Sequence, residues 1–206
     1  GRQLYRNFIT VIGEAISNAW DADAQNVWIE LDREQKTLTI SDDGHGMSSE
    51  DLDEKFLKIG YTKRGHEGTD IHSRSGRPYI GAKGIGKLAL LSCADEVSIV
   101  SKTRTTQPTG CRISNTELDE AINNDRSTDQ VLLKDAGDHA YQLLDNLNSP
   151  SGTVLVLSGM RTTNNTDEFL RSSIAQGFRF SLIDKNFHIY YNRSEITYKD
   201  LSRLTE

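Results

Sequence analysis

Apolar residues at Leu4, Phe8, Ile12, Ile16 and Ala19 recur at helical spacing, which predicts one long amphipathic helix over residues 3–24. The period then switches to two. Val27, Ile29 and Leu31 alternate with polar residues, and Leu38 and Ile40 repeat the pattern, so the two runs pair as a hairpin across residues 33–35. The run "SSEDL" opens a helix at 48–57, with a serine cap and acids in its first turn. Periodicity disappears between residues 60 and 81 into Gly, Lys, Arg, His and Ser, a long loop of the functional kind. Helical signals return over 84–94, and "EVSIVSKT" reads as a strand. Residues 112–149 are polar and poorly patterned, with a weak helix expected around Leu118 and a strand at 131–134. "GTVLVLSG" is a strand, "TDEFLRSSIAQGFRF" a helix, and "NFHIYYN" with "EITY" a closing hairpin. Hairpin-paired strands with grouped helices predict an α+β fold. Its form is a two-layer sandwich of a mixed, mainly antiparallel sheet with helices on one face.

The chain has 206 residues, enough for one domain, and is 35% apolar. A net charge of -6 argues against a dedicated nucleic-acid module, whose surface is usually strongly basic. No apolar run is long enough to cross a membrane, and the opening residues lack the pattern expected of a signal peptide. Cys93 and Cys111 lie far apart without metal-ligand spacing and read as reduced thiols of a cytoplasmic or nuclear protein. Beginning at Gly1, the chain is expected to be a fragment of a longer protein.

Three stretches have the residue types of a binding site. In "GEAISNAWDADA", Glu14, Asn18 and Asp21 fall on one helical face, flanked by the small Ala15, Ala19 and Ala22. Such a face is a solvated stripe or a wall against which a ligand lies. Asn is a mediocre helix former, and its carbonyl could serve a hard cation. In "ISDDGHGM", Asp42 closes a strand before Gly44, Gly46 and Met47. That sequence makes an ordinary turn. It would equally suit a flat ring whose amino group donates to Asp42, with the glycines admitting it to the backbone and Met47 packing on it. In "YIGAKGIGKLALL", Gly81, Gly84 and Gly86 precede an apolar helix, with Lys83 and Lys87 beside them. The run has the glycine and lysine spacing of a phosphate-binding loop, but Leu88 replaces the hydroxyl that would hold magnesium. It is either a flexible helix start or an anion site built from backbone amides.

Taken together and in order, these boxes and Gly152-Thr153 at the start of a later strand resemble the GHKL superfamily. That family includes gyrase, heat-shock chaperones, histidine kinases and MutL, and it shares the Bergerat ATP-binding fold. The matching residues are Glu14, Asn18, Ala19, Asp21 and Ala22; Asp42, Gly44 and Gly46; Gly81, Gly84 and Gly86; and Gly152-Thr153. The resemblance implies one ATP-binding domain over 1–206, binding ATP or ADP with Mg2+. Asn18 would hold the metal, which accounts for the missing hydroxyl at Leu88. Asp42 would accept from the adenine amino group with Thr153 in support through water, and Asp21, Ala22 and Met47 would line the pocket. Gly81, Lys83, Gly84, Ile85, Gly86 and Lys87 would cradle the phosphates, and Glu14 would activate the attacking water. Residues 60–80 would be a lid, with Lys63, Arg64 and Arg77 as candidate phosphate contacts.

Histidine kinases as a rule lack the Glu at position 14, which favours the ATPase branch. "IGYTKRG" and "FRFSLIDKNFHIYYN" look most like MORC and related prokaryotic ATPases. The resemblance then implies slow ATP hydrolysis that drives dimerisation of a larger DNA-manipulating or chaperone-like protein, with DNA or a protein client reached through other domains. A second domain would contribute a lysine to the γ-phosphate. A phosphotransferase of the histidine-kinase type and a non-hydrolysing nucleotide-binding module are the alternatives.

Overall fold

The computed structural model describes residues 2–53, 72–80, 92–117, 134–161 and 165–204. Helix α1 runs from Arg2 to Asp21. Phe8, Val11, Ile12, Ile16, Ala19 and Trp20 are buried, so the helical period of the sequence marks the face that meets the sheet. A Schellman motif ends the helix. Ala24 N–H donates to Ala19 O and Asp23 N–H to Trp20 O, both at 3.0 Å, with Asp23 in the left-handed region at φ 57°. Asp takes the place usual for Gly, and its side chain has a further use described below.

Strands β1 (Asn26–Asp32) and β2 (Thr37–Asp42) form the expected hairpin. Ser48 then caps a short helix α2 (Ser49–Asp51) in a reciprocal capping box with Asp51. Next come β3 (Glu96–Lys102), β4 (Thr109–Ser114), helix α3 (Asp138–Asn146), β5 (Gly152–Ser158) and helix α4 (Asp167–Gly177). Strands β6 (His188–Tyr191) and β7 (Ser194–Glu195) make the last hairpin. The seven strands form one sheet in the order β4-β3-β5-β2-β1-β6-β7. Only β1 and β6 run parallel, so the sheet is mixed and mainly antiparallel, as expected.

The main core lies between one sheet face and α1 with α4. Helix α3 departs from the expectation of helices on one face only. Its Ala140 and Leu144 pack with Val100, Val154 and Val156, while the alternate residues Ile99, Leu155 and Leu157 belong to the main core. Alternation along β3 and β5 therefore puts α3 on the opposite face. Helix α3 falls in the poorly patterned stretch 112–149, and β4 runs into its start; neither was expected from the sequence. Of the strand expected at 131–134, only Lys134 is described, and it bridges to Arg112. Residues 118–133 lie outside the described part, including Leu118, and so does most of the helix expected at 84–94.

Candidate functional site

Three cross-strand rows on the α1 face show where the core stops. Leu31, Leu38, Leu157 and Val97 stand opposite one another across β1, β2, β5 and β3, followed by Ile29, Ile40, Leu155 and Ile99. The next row is Val27, Asp42, Thr153 and Ser101. Three strands thus turn from apolar to polar at the same level of the sheet. Directly opposed side chains in such a ladder stand about 5 Å apart at Cβ, so Asp42 and Thr153 are immediate neighbours although remote in sequence.

The C-terminal end of α1 abuts this row. His45 N–H donates to Ala22 O at 2.9 Å, and a Cβ on Gly44 would come within 2.8 Å of Ala22 Cβ. A Cβ on Gly46 would lie 1.9 Å from Lys102 O, at a φ of 70°. Both glycines are therefore required by the packing of the chain on itself, a reason independent of any ring lying against them. Met47 is half-buried against the main core, and its N–H donates to Ser101 Oγ at 2.8 Å. Glu14 is half-buried and Asn18 exposed along the flank of α1.

Asp42 is half-buried, and its Oδ1 accepts the Gly44 amide at 2.9 Å. Desolvation pushes its pKa up to about 7; the Gly44 bond opposes the rise and the neighbouring Asp43 charge adds to it. Asp43 itself faces away from this row, accepting from the Gln25 and Asn26 amides and from the Asn26 side chain at 2.7–2.8 Å. Consecutive acids thus divide the work: Asp43 holds the strand end and Asp42 faces the site.

Ser101 belongs to the site and the motif reading missed it. It is fully buried, and its Oγ lies 2.9 Å from both Gly152 O and Thr153 Oγ1. The signal was present in the alternation of β3, where Val97 and Ile99 are followed by a serine at the next inward position.

Two further expected site residues make contacts within the chain itself. The sequence offered Arg77 as a phosphate contact from the lid. The structure instead uses it to fasten residues 72–80 to the body of the domain. Its Nη1 donates to Ala24 O at 2.6 Å, its Nη2 to Asn186 O at 3.0 Å, and its guanidinium lies 4.5 Å from the Trp20 ring centre. Ser73 and Ser75 bond to the Asp23 carboxylate. Burial pushes the Asp23 carboxyl up, but these bonds and the Arg77 charge outweigh it and hold it below its ordinary range. Asp21, expected to line the pocket, is buried and takes the Ile80 amide on Oδ1 at 2.9 Å. It therefore anchors the residue just before the glycine box. Gly81, Lys83, Gly84, Ile85, Gly86 and Lys87 lie outside the described residues, as do Lys63 and Arg64.

With the fold and the polar row in place, comparison with known proteins defines the class. A family model described as "Histidine kinase-, DNA gyrase B-, and HSP90-like ATPase" matches residues 5–153. The chain belongs to this family of GHKL-type ATPases, and the match covers the α1 wall, the polar row and the glycine box. Among curated relatives, a putative type II restriction enzyme HgiDII from Herpetosiphon aurantiacus is 32% identical over 98% of this chain and 31% of its own length. The chaperone protein HtpG of Clostridium acetobutylicum is 29% identical over 48% of this chain and 19% of its own. The chain thus spans less than a third of the length of either relative. Among the described residues, no helix is long and apolar enough to cross a membrane.

Proposed function

We propose that this chain binds ATP with Mg2+ and hydrolyses it slowly, as the nucleotide-driven module of a larger DNA-manipulating protein. The observation that carries the reading is the polar row Asp42–Thr153–Ser101, set where the apolar rows of the core end and beside the foot of α1. A half-buried carboxylate next to a hydroxyl suits a flat base with an exocyclic amino group. Asp42 Oδ1 is engaged by Gly44, so Oδ2 is the arm offered to the base.

Glu14 and Asn18 lie along α1, about one helical turn apart. Glu14 takes the proton of a water that attacks the γ-phosphorus; the bond to the β-phosphate oxygen breaks and ADP leaves. Among the described residues no three His, Cys, Asp or Glu side chains gather as a metal centre. The donors present fit Mg2+, which usually keeps several waters and takes substrate phosphates with one or two protein oxygens. Asn18 would supply the protein oxygen, and the ion would neutralise charge on the phosphates. The amides of Gly84, Ile85 and Gly86 with Lys83 and Lys87 complete the phosphate cradle, and Asp21 supports it through Ile80.

The likeness to a protein named as a restriction enzyme extends over nearly the whole chain, whereas the chaperone likeness covers about half. That difference favours a DNA-related parent, in which ATP promotes self-association and hydrolysis releases it. The presence of Glu14 favours hydrolysis over phosphotransfer to protein. Steady-state phosphate release by the chain and by Glu14→Ala, beside calorimetric ATP affinities for both, tests the reading. Phosphate release that is lost with affinity retained supports it; an unchanged rate removes Glu14 from the chemistry.

A further inference from the structure

We propose that Ser101 is a positioning residue that fixes the Thr153 hydroxyl as a hydrogen-bond acceptor toward the base site, and so helps select a 6-amino over a 6-oxo purine. The inference rests on the adenine-nucleotide reading above and concerns a residue outside all the sequence boxes.

The polarity follows from counting protons. Ser101 Oγ has one proton and lies 2.9 Å from Gly152 O, a carbonyl that can only accept. Serine must donate in that contact, because two lone pairs would otherwise face each other. Met47 N–H donates to the same Oγ at 2.8 Å. The remaining contact, Ser101 Oγ to Thr153 Oγ1 at 2.9 Å, then requires Thr153 to be the donor. Ser101 is fully buried, so no water competes for these positions. With its proton committed to Ser101, Thr153 has only lone pairs left for a ligand. Asp42, its direct neighbour across β2 and β5, also presents an acceptor on Oδ2 when ionised. The row therefore offers two acceptors side by side, matched to the two N–H bonds of an exocyclic amino group. A 6-oxo group would meet acceptors alone.

Removing the serine hydroxyl releases the threonine proton, which can then turn toward a ligand oxygen. Titrations of the chain with ATP and with ITP at pH 8, where Asp42 is ionised, measure the effect, as the ratio of the two dissociation constants. Ser101→Ala should lower the preference for ATP over ITP by roughly tenfold, the scale of one mismatched buried hydrogen bond. Thr153→Val removes the same acceptor and should lower the preference comparably. In that background, adding Ser101→Ala should not change the ratio further. A serine that only braces Met47 and Gly152 would weaken both nucleotides alike, and an unchanged ratio in Ser101→Ala overturns the proposal. Should Ser101→Ala fail to fold, an unchanged ratio in Thr153→Val overturns it equally. If the unmodified chain binds neither nucleotide, the base-site reading itself fails; if it binds ATP and the ratio does not move, only the role of Ser101 does.

Discussion

Asp42→Asn should stabilise the empty protein while damaging the nucleotide site, and the two effects have separate origins. The Asp42 pKa is pushed from its ordinary 3.8 up to about 7, chiefly by desolvation. A carboxyl raised in this way keeps its proton in the fold at a pH where the unfolded chain has lost it. Its contribution to stability is therefore highest below about pH 4 and falls as pH rises, reaching its full penalty above pH 7. Each pH unit between the two values is worth ~1.4 kcal/mol, so the ceiling is about 4 kcal/mol. Partial solvent contact at Asp42 lowers the expected penalty to roughly 2–3 kcal/mol. Asn never ionises and keeps an oxygen for the Gly44 amide. At pH 8 the empty variant should melt higher than the parent by about 5–10 °C for a domain of this size, and the gap should shrink toward pH 5. Bound ATP should narrow or reverse the gap. The Asn amide would place a donor against the adenine amino group, costing about 2–4 kcal/mol of binding. Thermal melting of both proteins at pH 5.5 and 8, with and without ATP, reads both effects. Equal melting temperatures at pH 8 would refute the desolvation account, and an equal stabilisation by ATP would refute the base contact.

Glu14→Ala should leave ATP affinity nearly intact and reduce turnover by roughly 10²–10⁴, the range for a positioned general base, as measured by phosphate release. Asn18→Ala should abolish the magnesium dependence of ATP binding in calorimetry while leaving metal-free binding unchanged. Gly46→Ala should lower unfolding free energy by about 2–4 kcal/mol in urea titrations, because its Cβ would meet Lys102 O at 1.9 Å and the backbone is left-handed. Arg77→Ala removes two hydrogen bonds and the contact with Trp20 that fasten residues 72–80. Trypsin should then cut faster after Arg74, and an unchanged rate would show that Asp23 and its serines suffice.

The strongly patterned elements were legible: α1 by its spacing of Phe8, Ile12, Ile16 and Ala19, β1 and β2 by alternation over one buried face, and β5 by an unbroken apolar run buried on both faces. Strand β4 was not, because Cys111 is its one buried residue and the strand lies at the sheet edge. Helix α3 buries only Ala140 and Leu144, too little to rise above its polar surroundings. At the site, residue types and order identified the family, and Asp42 and Thr153 could be named. Their adjacency is a product of strand register, and so is the place of Ser101 beside them. Arg77 shows the opposite limit. In a glycine-rich basic stretch its charge suggested a phosphate partner, and only the fold supplies Trp20 and the Ala24 and Asn186 carbonyls.

The central claim is that the polar row at the foot of α1 holds the base of ATP. Calorimetric titration of the chain with ATP, with and without Mg2+, tests it most directly when Asp42→Asn is titrated beside it. The account predicts saturable one-to-one binding, tighter with Mg2+, and loss of detectable binding in Asp42→Asn. Absence of binding by the unmodified chain, or equal binding by Asp42→Asn, would contradict it.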